Sequence, residues 1–158
     1  MLRDFETNDE VAIGSVALAA FEQFGSAYAD WPAMASNVCR MAELAKTSEL
    51  IVAEMNREVV GGVAYVGPHK PKAAFFDQSW PIIRMLVVSP SHRGEGIGKM
   101  LTEACLDRAR RDHSRVIALH TSPIMSVALP MYLRMGFNKL LDAPDIYGVP
   151  YAVYAKSL

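Results

Sequence analysis

The stretch Leu86-Val87-Val88-Ser89-Pro90-Ser91-His92-Arg93-Gly94-Glu95-Gly96-Ile97-Gly98 decides the fold, because the hydrophobic period changes across it. Its first residues close the continuous apolar run Ile82-Ile83-Arg84-Met85-Leu86-Val87-Val88, the pattern of a strand covered on both faces. Beyond it, Ile97, Met100, Leu101, Ala104 and Cys105 recur at helical spacing, the stripe of an amphipathic helix from about Gly96 to Asp112. Three glycines in five positions let the chain turn sharply and leave its backbone open to a ligand. The helix start that follows offers unpaired N–H groups and a positive dipole end, the parts of an anion cradle. The spacing G-x-G-x-G is not the G-x-G-x-x-G of a dinucleotide turn, and Lys99 is followed by Met100 rather than the hydroxyl a Walker A loop needs. A tight turn that needs glycine only for its own geometry explains the glycine count equally well.

Working outward, Asn8 or Asp9 caps a helix over about 10–23 that ends at Gly25, and a second helix follows Trp31-Pro32. Leu50–Met55 and Val59–Val66 read as a hairpin joined at Asn56-Arg57-Glu58. After the buried run and its helix come a short strand at Val116–His120 and a helix over 127–135, interrupted by Pro130 and closed by Gly136. Phe137–Leu141 and Tyr151–Ala155 are two last strands, with Asp142, Pro144, Asp145, Gly148 and Pro150 in the loop between them. The order gives an α/β fold with a mixed sheet, read as one domain over residues 1–158. On the long helix, Lys99 faces Glu103 and Asp107 faces Arg111 at pairing distance.

With 51% hydrophobic residues the chain is too apolar for disorder, and 16 Lys plus Arg against 17 Asp plus Glu lack the basic excess of a non-specific nucleic-acid binder. No apolar stretch approaches the roughly 20 residues that span a bilayer, and the acidic N-terminus does not resemble a signal peptide. A cytoplasmic protein is expected. Cys39 and Cys105 read as core residues, and the histidines lack metal-ligand spacing, so no metal is expected.

Arg93, Gly96 and Gly98 match the Gln/Arg-x-x-Gly-x-Gly/Ala core of the acyl-coenzyme A signature of the GNAT superfamily of N-acetyltransferases, which the stretch around them resembles. Met131-Tyr132-Leu133-Arg134-Met135-Gly136-Phe137 resembles the family's second signature, an aromatic followed by a short helix end and Gly-Phe. The resemblance implies a single GNAT-like domain, a mostly antiparallel sheet whose central strands splay apart, with helices on its faces. It implies acetyl-CoA as co-substrate and transfer of the acetyl group to a primary amine by direct attack. The pyrophosphate would be held by the loop of Arg93, Gly94, Glu95, Gly96, Ile97, Gly98 and Lys99. The pantetheine arm would pair with the strand at Leu86, Val87 and Val88. The Val88 N–H would polarise the thioester carbonyl, a contact worth about 3 kcal/mol of barrier in analogous sites. Tyr132 matches the tyrosine that protonates the departing thiolate, a task its usual pKa of about 10 suits.

Two positions depart from the family pattern. Ile82 stands where many members carry a glutamate base, and Met125 where many carry an asparagine. Asp77 and His120 are the candidates left for removing the amine proton. Tyr28, Trp31, Trp80 and Tyr147 are expected to frame an apolar acceptor pocket, with Asp77, Asp142 and Asp145 attracting a cationic amine. The Arg108, Arg110 and Arg111 cluster is a candidate for the cofactor's 3′-phosphate. The alternatives to a small-molecule enzyme are an acyl-CoA sensor without catalysis and a protein N-acetyltransferase; a homodimer is also within the expected range.

Overall fold

The computed structural model describes residues 1–158. Its seven strands are β1 (Leu2–Asp4), β2 (Glu49–Met55), β3 (Glu58–Val66), β4 (Ile82–Val88), β5 (Val116–Thr121), β6 (Asn138–Ile146) and β7 (Val149–Ser157). Four α-helices accompany them: α1 (Glu10–Glu22), α2 (Trp31–Val38), α3 (Ile97–Arg111) and α4 (Ala128–Arg134). The sheet runs β1-β2-β3-β4-β5-β7-β6, with every neighbouring pair antiparallel except β4 and β5. Helices α1 and α2 cover one face, where Ile13 and Ala17 are buried among Met41, Val52, Ala64 and Val87, and Val38 is buried among Val66, Ile82 and Ala118. Helices α3 and α4 cover the other, where Leu101, Cys105 and Tyr132 pack on Val63, Ile83 and Leu119. No helix is long and apolar enough to cross a membrane.

The β2–β3 connection is a two-residue turn with both Asn56 and Arg57 at positive φ, the twist a tight hairpin requires. Tyr147 and Gly148, also at positive φ, make the corresponding turn between β6 and β7. The expected loop from Asp142 to Pro150 is therefore strand on both sides of that turn. Pro144 is tolerated because β6 is the sheet edge, where a missing N–H breaks no ladder bond.

Four further sequence expectations change. The helix after Trp31 stops at Val38 and continues as a 3₁₀ stretch over Met41–Lys46. Cys39 is exposed beside that break instead of buried. On α3 Ile97, Leu101 and Cys105 are buried as expected, but the stripe continues through Thr102, Leu106 and Ala109 and leaves Met100 42% exposed. Arg111 turns to Glu49 at 2.7 Å rather than to Asp107, which pairs with Arg110 at 3.1 Å.

Strand β4 is not covered on both faces along its length. Ile82 and Ile83 are buried, but Arg84 is exposed and Met85 and Leu86 are only half-buried. Two features open it. The β3–β4 register jumps from Gly62↔Val87 to Ala64↔Arg84, so Val63 faces both Met85 and Leu86, a bulge with Met85 at φ 56°. Strands β4 and β5 pair only at Ile82↔Ala118, after which they separate. A non-glycine residue at positive φ is costly and persists only where its surroundings enforce it.

Candidate active site

The gap between β4 and β5 contains two adjoining cavities. The first, of about 560 Å³, lies between β4, α4 and the loop into α3. The second, of about 410 Å³, opens under α2 and the 3₁₀ stretch that follows it. Both are lined by Phe21, Leu86, Met125 and Ala128, which places their junction at the β4 bulge.

The first cavity is an anion cradle by construction. Gly96 is the N-cap of α3 with φ 80° and ψ 7°, and Gly94 has φ 78°. Both need glycine for conformation alone, since a Cβ on either would meet nothing within 4 Å. The cap has no side chain, so the first N–H groups of α3 have no capping partner and point toward the cavity end of the helix. Gly98 sits beneath them, where an added Cβ would lie 3.7 Å from Val88 and 3.8 Å from Met131. Arg93, Lys99, Arg134 and His92 line the same space and no carboxylate does. Backbone donors and cations around an apolar trough suit a phosphorylated ligand with a long apolar arm.

Of the residues expected to hold the cofactor, Leu86, Val88, Arg93, Gly94, Gly96, Ile97, Gly98 and Lys99 line this cavity. Val87 does not: its side chain is buried on the opposite face, against the α1 side of the sheet, as strand alternation demands. Glu95 is exposed and accepts from His92 Nδ1 at 3.1 Å. The basic cluster at the C-terminus of α3 lies elsewhere, with Arg108 and Arg111 bonded to Glu49 and Arg108 also to Asp4. Arg134 lines the cavity where that cluster does not; no motif reading singled it out as a cation, though it lies within the second signature.

Tyr132 lines the second cavity, 5% exposed, with its ring edge-on to Phe137 at 5.6 Å. Burial pushes its phenol above the usual range, so the hydroxyl keeps its proton at neutral pH. His120, at the end of β5, lines the same cavity. Its ring is stacked on Phe75 at 5.4 Å and tilted against Tyr151 at 5.2 Å, and its buried Nδ1 has no hydrogen-bond partner. Burial, aided by the charge of Arg84, lowers its pKa to about 4, so the imidazole is neutral. Tyr151, whose hydroxyl shares a 2.6 Å hydrogen bond with Tyr28, completes this wall.

The expected acceptor box is not assembled. Tyr28, Trp31, Trp80 and Tyr147 do not line the second cavity, and neither do Asp77, Asp142 and Asp145. Asp77 is exposed and bonded to the backbone and hydroxyl of Ser79, with its carboxyl held below the usual range by those bonds. The aspartates of the last hairpin lie on the outer edge strand rather than in a loop over the gap. The charged lining comes from Arg40, Glu43 and Arg84, and the apolar lining includes Met34, Val38 and Met41.

The family model described as acetyltransferase (GNAT) family matches residues 9–137. A rat protein, N-acetyltransferase 8F1, is 38% identical over 88 residues, which make up 56% of this chain and 38% of that protein. The chain thus spans well under half the length of that relative. A GCN5-related N-acetyltransferase from Rhodopseudomonas palustris superposes with a TM-score of 0.78 at 20% identity, over 100% of this chain and 95% of that one. A GNAT family acetyltransferase from Elizabethkingia anophelis, solved with acetyl-CoA bound, gives a TM-score of 0.68 at 14% identity, over 100% and 97% of the two chains.

Proposed function

The chain belongs to the acetyltransferase (GNAT) family, and on that premise we propose that it transfers the acetyl group of acetyl-CoA to a primary amine by direct attack. Acetyl-CoA supplies an activated thioester. The residues around the first cavity fit it, with α3 N–H groups, Arg93, Lys99 and Arg134 for the phosphates and Leu86, Val88 and Met131 along the pantetheine arm. The observation that carries the reading is the shared wall at Leu86, Met125 and Ala128, where a thioester reaching through the gap meets an acceptor from the second cavity.

In the reaction the amine nitrogen bonds to the acetyl carbon and the C–S bond breaks. The Val88 N–H stabilises charge on the carbonyl oxygen, and Tyr132 gives its proton to the departing thiolate. With Ile82 buried in place of a carboxylate, the acceptor enters as the free amine, and the proton its nitrogen sheds after attack restores the Tyr132 phenol, so that amide and free thiol leave with the enzyme unchanged. The neutral His120 imidazole hydrogen-bonds that amine in the second cavity.

Titration with acetyl-CoA and with desulfo-CoA, followed by thiol release across an amine panel, tests the reading. Micromolar binding and amine-dependent thiol release are expected. Absence of binding refutes the family chemistry for this chain; binding without thiol release from any amine makes it a sensor.

A further inference from the structure

Arg84 stands in the middle of an apolar strand at the centre of the sheet, and nothing in the fold pairs with it. Its side chain takes part in no ion pair, with no carboxylate oxygen within 4.0 Å of the guanidinium. Its cross-strand neighbour is Ala64, too small and apolar to answer it. The bulge explains its direction: Met85 at φ 56° is the extra residue, so Met85 packs on the α1 and α2 side and Arg84 lines the second cavity beside Met34 and Val38. A second guanidinium, that of Arg40, enters the same cavity, its Nη2 donating to the neutral Asn37 Oδ1 at 2.9 Å. Glu43 is the one carboxylate in the lining, and His120 is neutral, so the cavity carries one net positive charge.

A plain alkylammonium entering such a cavity meets like charge before it meets the thioester. We propose that the acceptor is an amino-acid-type amine that carries a carboxylate and an apolar side chain, and that Arg84 is the residue that selects it by binding the carboxylate. The inference rests on the acetyltransferase reading above and names the substrate class of that site. A guanidinium fork takes both oxygens of a carboxylate, which fixes the orientation of the molecule as well as its charge. The apolar side chain then lies along Phe21, Met34, Met41 and Met85, and the amine is left facing the junction at Leu86.

The test uses products, which have no ionisable amine to confuse the comparison. N-acetylphenylalanine, N-acetylmethionine and N-acetylleucine, each as free acid and as primary amide, are titrated into the CoA-saturated protein by calorimetry. For at least one side chain the acid is expected to bind about 10- to 100-fold more tightly than its amide, the range for a hydrogen bond between charged groups. In Arg84→Gln the acid-to-amide ratio collapses to within about threefold, and Arg84→Lys, which keeps the charge without the fork, falls between. A melting curve confirms that both variants are folded. Equal binding of acid and amide, preference for the amide, no binding of either, or a ratio unchanged in Arg84→Gln overturns the proposal. Failure of acetyl transfer to every amine would instead refute the proposed function, and it is read separately by thiol release.

Discussion

Two glycines two residues apart in the α3 cradle should respond oppositely to the same methyl group. Gly96 has φ 80° and a Cβ there would touch nothing within 4 Å, so Gly96→Ala costs only the left-handed backbone, about 1–2 kcal/mol for an L-residue. Restricting the unfolded chain returns about 0.4–1 kcal/mol, leaving a net loss of about 1 kcal/mol. Gly98 is inside the first turn of α3 without positive φ, and its Cβ would sit 3.7–3.9 Å from Val88, Met131 and Leu86, ordinary contact distance. Gly98→Ala therefore gains up to about 1 kcal/mol of helix propensity. The two variants should differ by about 2 kcal/mol, which in a chain of this size separates their midpoints by about 4–8 °C. Acetyl-CoA titration supplies the second reading. Gly96→Ala turns the free N–H groups away and should weaken binding about tenfold or more, the loss of one charge-assisted hydrogen bond. Gly98→Ala should stay within about threefold. Thermal melts by circular dichroism and calorimetric titration of both proteins decide it. If Gly96→Ala melts at or above Gly98→Ala, or binds acetyl-CoA as tightly, the loop is not held in the conformation from which the cradle was argued.

Three other outcomes follow from particular contacts. Tyr132→Phe should lower kcat about 100-fold or more, the low end for loss of a general acid, while acetyl-CoA affinity and melting temperature hardly move; unchanged turnover removes Tyr132 from that role. Gly14→Ala should destabilise by about 2 kcal/mol in urea titration despite better helix propensity, because its Cβ would meet the Cys39 carbonyl oxygen at 2.5 Å and neither backbone can yield. His120 is about 4 in the fold and near 6.5 unfolded, so the unfolded chain binds the extra proton and stability falls with pH between those values. The protein should lose about 2 kcal/mol from this group between pH 7 and pH 5. His120→Phe, which suits a ring site between Phe75, Phe76 and Tyr151, should flatten that limb, and an identical pH profile in the variant would show that His120 is not held neutral.

The resemblance read from two short signatures gave the family, and periodicity placed most elements, β4 to the residue, because a run of branched apolar residues ended by Ser89-Pro90 leaves little freedom at either end. Edge elements were the exception. Leu2–Asp4 is too short to show a period, and β6 is mostly exposed, so Pro144, with Gly148 and Pro150 just beyond it, reads as loop. Arg134 at the end of α4 carries no local mark of its place, since nothing in its neighbours distinguishes a cavity cation from a surface one.

By itself, then, the sequence determined the local grammar: which segments are strand or helix, that a glycine-rich turn leads into a helix start with free N–H groups, and that Tyr132 sits on a helix beside Gly136-Phe137. These depend on residues within a few positions of one another, whose spacing carries their geometry. Only the tertiary structure decided where β4 leaves β5, that Asp77, Asp142 and Asp145 lie away from the second cavity while Arg84, Glu43 and His120 line it, and that Arg84 has no partner. Those facts arise from a bulge enforced by β3 and from helices packed across the sheet, contacts between residues distant in the chain that no periodicity encodes.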